Sequence, residues 1–169
     1  NLSLSGSEED IESNPKKYFK AMIEALDTEM GRLFDYLETT GKWENTEIIF
    51  IGDNGDTNQV TQGVGGAKGS VFQEGVSVPF IISGPSVVKP NRVSNALVNT
   101  HDLFATILEL FGNLDWRSKI SIENPVDSKS IMPIVLNKSN EIRPWIFTEI
   151  FKIPSTPRDA KAIRNLEYK

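Results

Sequence analysis

The sequence predicts an α/β fold in which a mainly parallel sheet is flanked by helices. Three observations carry that prediction. A long amphipathic stretch runs over residues 15–40. Two short apolar runs, 46–52 and 78–83, are rich in β-branched residues but lack clean alternation. Such runs suit strands covered on both faces, as in parallel sheets. Finally, the elements follow the order helix, strand, strand, helix, strand.

Taken in order, residues 1–13 are polar and acidic and read as a loop or linker. Ser13-Asn14-Pro15 reads as a helix start, a capping side chain before a proline in the first turn. Tyr18, Phe19, Met22, Ile23, Leu26, Met30, Leu33, Phe34 and Leu37 then recur at three- and four-residue steps. The spacing predicts a helix over 15–40 that Gly41 ends, with the apolar stripe packed into a core and Asp27 as a structural hydrogen-bonding residue. Residues 46–52 are the first strand and 55–70, rich in Gly, Asn, Gln and Thr, a loop. Residues 78–83 are a second buried strand, followed by a turn region from Pro85 to Arg92. A helix is expected over 101–112, irregular chain over 113–130 and a short helix or turn at 131–136. Residues 145–150 make a third strand, and 162–166 the start of another. Neither an internal repeat nor a low-complexity tract is present.

With 169 residues, 38% of them hydrophobic, the chain is one domain's worth of sequence, and 1–169 is treated as a single segment. The net charge of −5 argues against a broad nucleic-acid surface, which needs a basic patch. The absence of cysteine excludes disulfides, thiolate metal ligands and a cysteine nucleophile within this sequence. No apolar run approaches the length of about 18 residues that a membrane span needs. Asn1-Leu2-Ser3-Leu4-Ser5-Gly6 has no signal-peptide character.

The most informative stretch is Ile48-Ile49-Phe50-Ile51-Gly52-Asp53-Asn54. An apolar strand delivers a carboxylate and a carboxamide side by side at its carboxyl end, where open α/β sheets bind ligands. Two adjacent oxygen donors suit a hard cation such as Ca²⁺. An Asp-His pair would instead favour zinc, because imidazole does. Further on, the glycine-rich stretch Gly63-Val64-Gly65-Gly66-Ala67 leads to Lys68, which suits an anionic oxygen shared with that cation. The bland alternatives are an ordinary Asp-Asn-Gly turn and a solvated loop lysine. A nucleotide loop is excluded, since Ala67-Lys68-Gly69 lacks the Gly-Lys-Ser/Thr order.

Asp53-Asn54-Gly55, then Lys68-Gly69-Ser70-Val71-Phe72-Gln73-Glu74-Gly75-Val76-Ser77-Val78-Pro79, the strand Phe80-Ile81-Ile82-Ser83 and Gly84-Pro85 resemble the C-terminal portion of a sulfatase. His101-Asp102-Leu103-Phe104-Ala105-Thr106-Ile107-Leu108-Glu109-Leu110-Phe111-Gly112 is similar to a later helix of that family. The likeness reaches back to Ala25-Leu26-Asp27 and Gly31-Arg32-Leu33 and forward to Arg164-Asn165-Leu166-Glu167-Tyr168-Lys169. It implies an alkaline phosphatase-like fold, with Asp53 and Asn54 as metal ligands and Lys68 as a catalytic residue that holds the sulfate. Val76 stands where the family has a second glycine, which bears on the local turn. Glu74 is expected to be a structural anchor, and His101 a helix-cap or core histidine.

The same resemblance implies parts that this sequence does not contain. The family's nucleophile is formylglycine, made from a cysteine (a serine in some members) in a C/S-x-P/A-x-R motif, and Ser155-Thr156-Pro157-Arg158 has the wrong spacing for it. The family's first aspartate pair and active-site histidine have no counterpart either. The expectation is therefore the C-terminal portion of a sulfuric ester hydrolase, partnered by a missing N-terminal half. The chain alone should be inactive, and the complete site should hold Ca²⁺. The substrate would be a sulfate-ester small molecule or glycan. The compartment would be periplasmic, secreted or lysosomal. A phosphodiesterase or phosphonate hydrolase of the same superfamily, or a non-catalytic module, remains the alternative.

Overall fold

The computed structural model describes residues 4–57, 59–60, 68–151 and 159–168. Its contacts gather into two compact units, Asn1–Thr46 with Phe50–Ile81 and Glu47–Ile49 with Ile82–Lys169.

In the first unit, helix α1 spans Glu8–Ser13, a stretch the sequence reading placed in a loop. Ser7 caps it by accepting from the Asp10 amide at 3.2 Å, and Glu8, Glu9 and Asp10 complement the helix dipole. A polar corner joins α1 to the next helix. The Tyr18 hydroxyl donates to Asp10 Oδ2 at 2.6 Å, and the Asn14 amide donates to Asp10 Oδ1 at 2.8 Å. These bonds hold the Asp10 carboxyl below its usual range, the one from Tyr18 most strongly.

Helix α2, Pro15–Thr39, has the length its apolar period predicts. Its stripe is not a core. None of its residues is buried, and Met22 and Ile23 are 67% and 49% exposed. Among the described residues of the first unit, that face has local contacts such as the edge-on pairing of Phe34 with Trp43. Asp27 is exposed and its side chain makes no hydrogen bond among the described residues, so the role expected of it is not observed.

Strand β1, Ile48–Ile51, is half-buried along its whole length. It neighbours β2, Phe80–Ser83, in a two-stranded sheet. Burial alternates along β2, so this strand is one-sided rather than covered on both faces as its apolar run suggests. Between them, a single helical turn, α3, spans Gln73–Val76.

The second unit is organised by α4, Asp102–Leu110, and the short α5, Met132–Val135. Leu97, Ala105, Trp116, Ile131, Ile134 and Val135 form its apolar core. Trp116 lies in a short 3₁₀ turn, Trp116–Lys119, edge-on to Phe104 with Arg117 over its ring at 4.4 Å. The carboxyl end of α5 is closed by the Arg92 guanidinium, which donates to the Ile134 and Val135 carbonyls, and by the Val88 amide. Strands β3, Ile146–Ile150, and β4, Ala160–Arg164, pair antiparallel. This antiparallel pair stands beside the mainly parallel sheet expected of the fold class. Both strands alternate in burial, and Glu149 faces Lys161 in register with an ion pair of 3.7 Å on the open side. Phe147 and Ile163 oppose each other on that same open side.

Candidate functional site

The local chemistry begins where β1 stops. Gly52 leaves the strand by donating to the Pro79 carbonyl at 3.0 Å, and Asp53 and Asn54 form the bend that follows. Asp53 is exposed, and its carboxylate takes no hydrogen bond from any described residue. Asn54 is half-buried, with its side-chain nitrogen committed to the Gly55 carbonyl at 2.8 Å. That bond leaves the carboxamide oxygen as the atom able to face a cation. Asp53 and Asn54 thus present the oxygen chemistry that a hard metal requires. No group of three or more His, Cys, Asp or Glu side chains placed to hold a metal ion occurs among the described residues.

The bend is then tied down through its backbone. Gly55 donates to the Gly75 carbonyl at 3.1 Å, and Asp56 donates to the Glu74 carbonyl at 3.0 Å. Gly55 is buried, and a Cβ there would sit 2.1 Å from the Glu74 oxygen and 2.5 Å from the Gly75 carbonyl carbon. Only glycine allows the two chains to approach so closely. Glu74 is therefore an anchor, but through its carbonyl rather than its carboxylate. The stretch Gly63–Ala67, on which the glycine-rich loop was read, lies outside the described residues. Lys68 itself returns to the bend, its amide donating to the Asp56 carbonyl at 2.6 Å. Its side chain makes no hydrogen bond or ion pair among the described residues. All of these residues belong to the first unit.

His101 lies in the second unit. It occupies the position before α4 but makes no side-chain capping hydrogen bond. Its Nε2 stands 3.5 Å from Arg143 Nη1 and 3.6 Å from Asp102 Oδ1. Together with Thr100, Phe104, Val126, Asp127 and Ser128 it lines an open cavity of about 460 Å³. Beneath it lies a polar cluster that the sequence reading missed. Asp102, 1% exposed, accepts from the Asn99 amide at 2.8 Å, the Lys129 amide at 2.9 Å and the Arg143 guanidinium. Thr106 donates to the Asp102 carbonyl at 2.7 Å and accepts from the Ile131 amide at 3.0 Å. Ser128 accepts from the Ala105 amide at 3.0 Å. Buried charges are retained only when paired and hydrogen-bonded, which is the state of Asp102. An aspartate in the first turn of an apolar helix was the available signal. Its partner, Arg143, carried none.

The comparisons bear on what this arrangement belongs to. A sequence model of the sulfatase family matches residues 5–113. The chain is 29% identical to an endo-4-O-sulfatase of Bacteroides thetaiotaomicron over 126 residues, which covers 75% of this chain and 23% of that protein. Its identity to the N-acetylglucosamine-6-sulfatase of Homo sapiens is 32% over 118 residues, covering 69% of this chain and 20% of that one. The fold is similar to that of yidJ, a sulfatase candidate of Bacteroides fragilis, with a TM-score of 0.74 at 22% identity over 98% of this chain and 34% of the other. The chain belongs to the sulfatase family, and its α/β fold is the alkaline phosphatase-like fold of those enzymes. It spans 23% and 20% of the length of the two relatives named.

Proposed function

We propose that residues 1–169 form one segment of the catalytic domain of a sulfuric ester hydrolase, to which they bring two oxygen ligands for Ca²⁺ and a substrate-binding lysine. Asp53 and Asn54 would hold the cation, and Lys68 would hold a sulfate oxygen on the leaving-group side. The observation that carries this reading is the 2.6 Å bond from the Lys68 amide to the Asp56 carbonyl. It brings the lysine's backbone back to the turn that bears the two oxygen donors. Bound there, Ca²⁺ would act as a Lewis acid and fix the ester's orientation. Asp53 lowers the cation's net charge, while Asn54 ligates without adding a second negative charge. The Lys68 ammonium adds a positive charge opposite the developing negative charge on the leaving oxygen. The formylglycine nucleophile and the remaining carboxylates would come from sequence outside these residues. The substrate class is a sulfate ester of a small molecule or glycan. The parent would work in an exported compartment, whether periplasmic, secreted or lysosomal. No helix among the described residues is long and apolar enough to cross a membrane.

The test is Lys68→Ala in the full-length parent. Turnover of an aryl sulfate should fall about 10²–10³-fold, the usual cost of a lost electrostatic donor, with Ca²⁺ binding and the melting temperature unchanged. Near-normal turnover would refute the role of Lys68. Efficient turnover of a phosphate diester with none of a sulfate ester would favour the phosphodiesterase alternative.

A further inference from the structure

We propose that Gly55 and Asp56 form a backbone joint that sets the spacing between the Asp53-Asn54 pair and Lys68, which makes Gly55 a positioning residue for the reaction proposed above. The inference rests on that reading. Asp56 spends both of its backbone groups here, its N–H on the Glu74 carbonyl at 3.0 Å and its C=O on the Lys68 amide at 2.6 Å. Its carboxylate turns away to accept from its neighbour Thr57 at 2.8 Å, so the joint uses no charged side chain. Gly55 adds the third bond, to Gly75 at 3.1 Å, and leaves no space for a Cβ.

Neither Asp53 nor Lys68 has a side-chain partner among the described residues. Where their charges stand is therefore decided by backbone, and three hydrogen bonds around one glycine fix that backbone. The arrangement has a chemical consequence. A cation and an ammonium that share one anion work only at one separation, and a displacement of about 1 Å at a reacting group can cost roughly 10²-fold in rate. A side-chain brace would occupy lone pairs and protons that the ligands need. A backbone brace leaves them all available.

The experiment is a double-mutant cycle in the full-length, Ca²⁺-loaded parent with a chromogenic aryl sulfate: Gly55→Ala, Lys68→Ala and the pair. Gly55→Ala should lower kcat about 10²-fold with KM changed far less. In the Lys68→Ala background the same substitution should cost less than about threefold, because the lysine it would misplace is gone. Ca²⁺ titration should show Gly55→Ala weakening the metal less than Asp53→Ala does. Losses that multiply in full would overturn the joint and leave the lysine's role intact. Normal turnover by Lys68→Ala would overturn both. Should Gly55→Ala fail to fold, amide hydrogen exchange on the wild type decides. Protection is expected at Gly55, Asp56 and Lys68, and exchange at the rate of an open chain at these three amides would overturn the proposal.

Discussion

Two regions of this chain hold loops in place by opposite means. At Asp53–Lys68 the holding is done by backbone, with three amide–carbonyl bonds and a glycine too crowded for any side chain. Around Asp102 it is done by side chains: a carboxylate and two hydroxyls accept from backbone amides, and a guanidinium donates to the carboxylate. The first leaves Asp53 and Lys68 exposed, with no side-chain partner among the described residues. The second consumes its charged side chains. A carboxylate that already accepts three hydrogen bonds is poor at recruiting a ligand, whereas one that accepts none from the described residues is available to a metal. The difference separates Asp53 from Asp102 more clearly than residue type or charge does.

The comparison is broken most severely by Asp102→Ala. Arg143 is 9% exposed and would be left as a buried, uncompensated cation. Loss of one partner from such a pair typically costs about 3–5 kcal/mol, so urea unfolding should show a large fall in midpoint. Asp102→Leu combined with Arg143→Met should recover much of that loss, since replacing both partners by apolar groups is often close to neutral. A small effect of the single substitution would mean that the pair is solvated in solution.

Thr106→Val is a smaller test of the same region. It keeps the shape but removes the hydroxyl that the Ile131 amide needs. A buried amide left without an acceptor should cost roughly 1–3 kcal/mol, read again by urea unfolding. An equivalent valine at an exposed threonine such as Thr28 should cost far less, and equal losses at both sites would argue against a special role for the cluster.

Much of this was legible beforehand, for identifiable reasons. The helix over Pro15–Thr39 was readable because its apolar residues keep the helical period through seven turns' worth of chemistry, independent of tertiary context. The Asp-Asn-Gly bend was readable because the close approach of two backbone segments restricts residue choice locally. Helix α1 was missed because its signal is only a cap and three acidic residues, with no apolar face. The fate of the α2 stripe was misread because period fixes which face is apolar, not what covers it. The partnership of Asp102 with Arg143 joins positions 41 residues apart, and no local pattern encodes it.

The smallest expected effect lies at the α1–α2 corner. Asp10 has its pKa lowered from 3.8, chiefly by the Tyr18 hydroxyl. A depressed carboxyl contributes stability that is fully present above the unfolded value and lost as pH falls through the folded one. The corner should therefore weaken only under acid, below about pH 4, and Asp10→Asn should flatten that part of the pH–stability curve with little change at neutral pH. Helix content and amide exchange at residues 8–14 would report it. An unchanged acid limb in Asp10→Asn would count against the corner.

The bond from the Lys68 amide to the Asp56 carbonyl has an evolutionary reading as well. It closes a ring in the chain between Asp56 and Lys68. Ring closure depends only weakly on length, a doubling costing about 0.6 kcal/mol in chain entropy. Insertions, deletions and wholesale exchange of that stretch can accumulate while the lysine and the oxygen pair keep their places. A change of length between Asp56 and Lys68 should therefore cost little at the two ends that the bond joins.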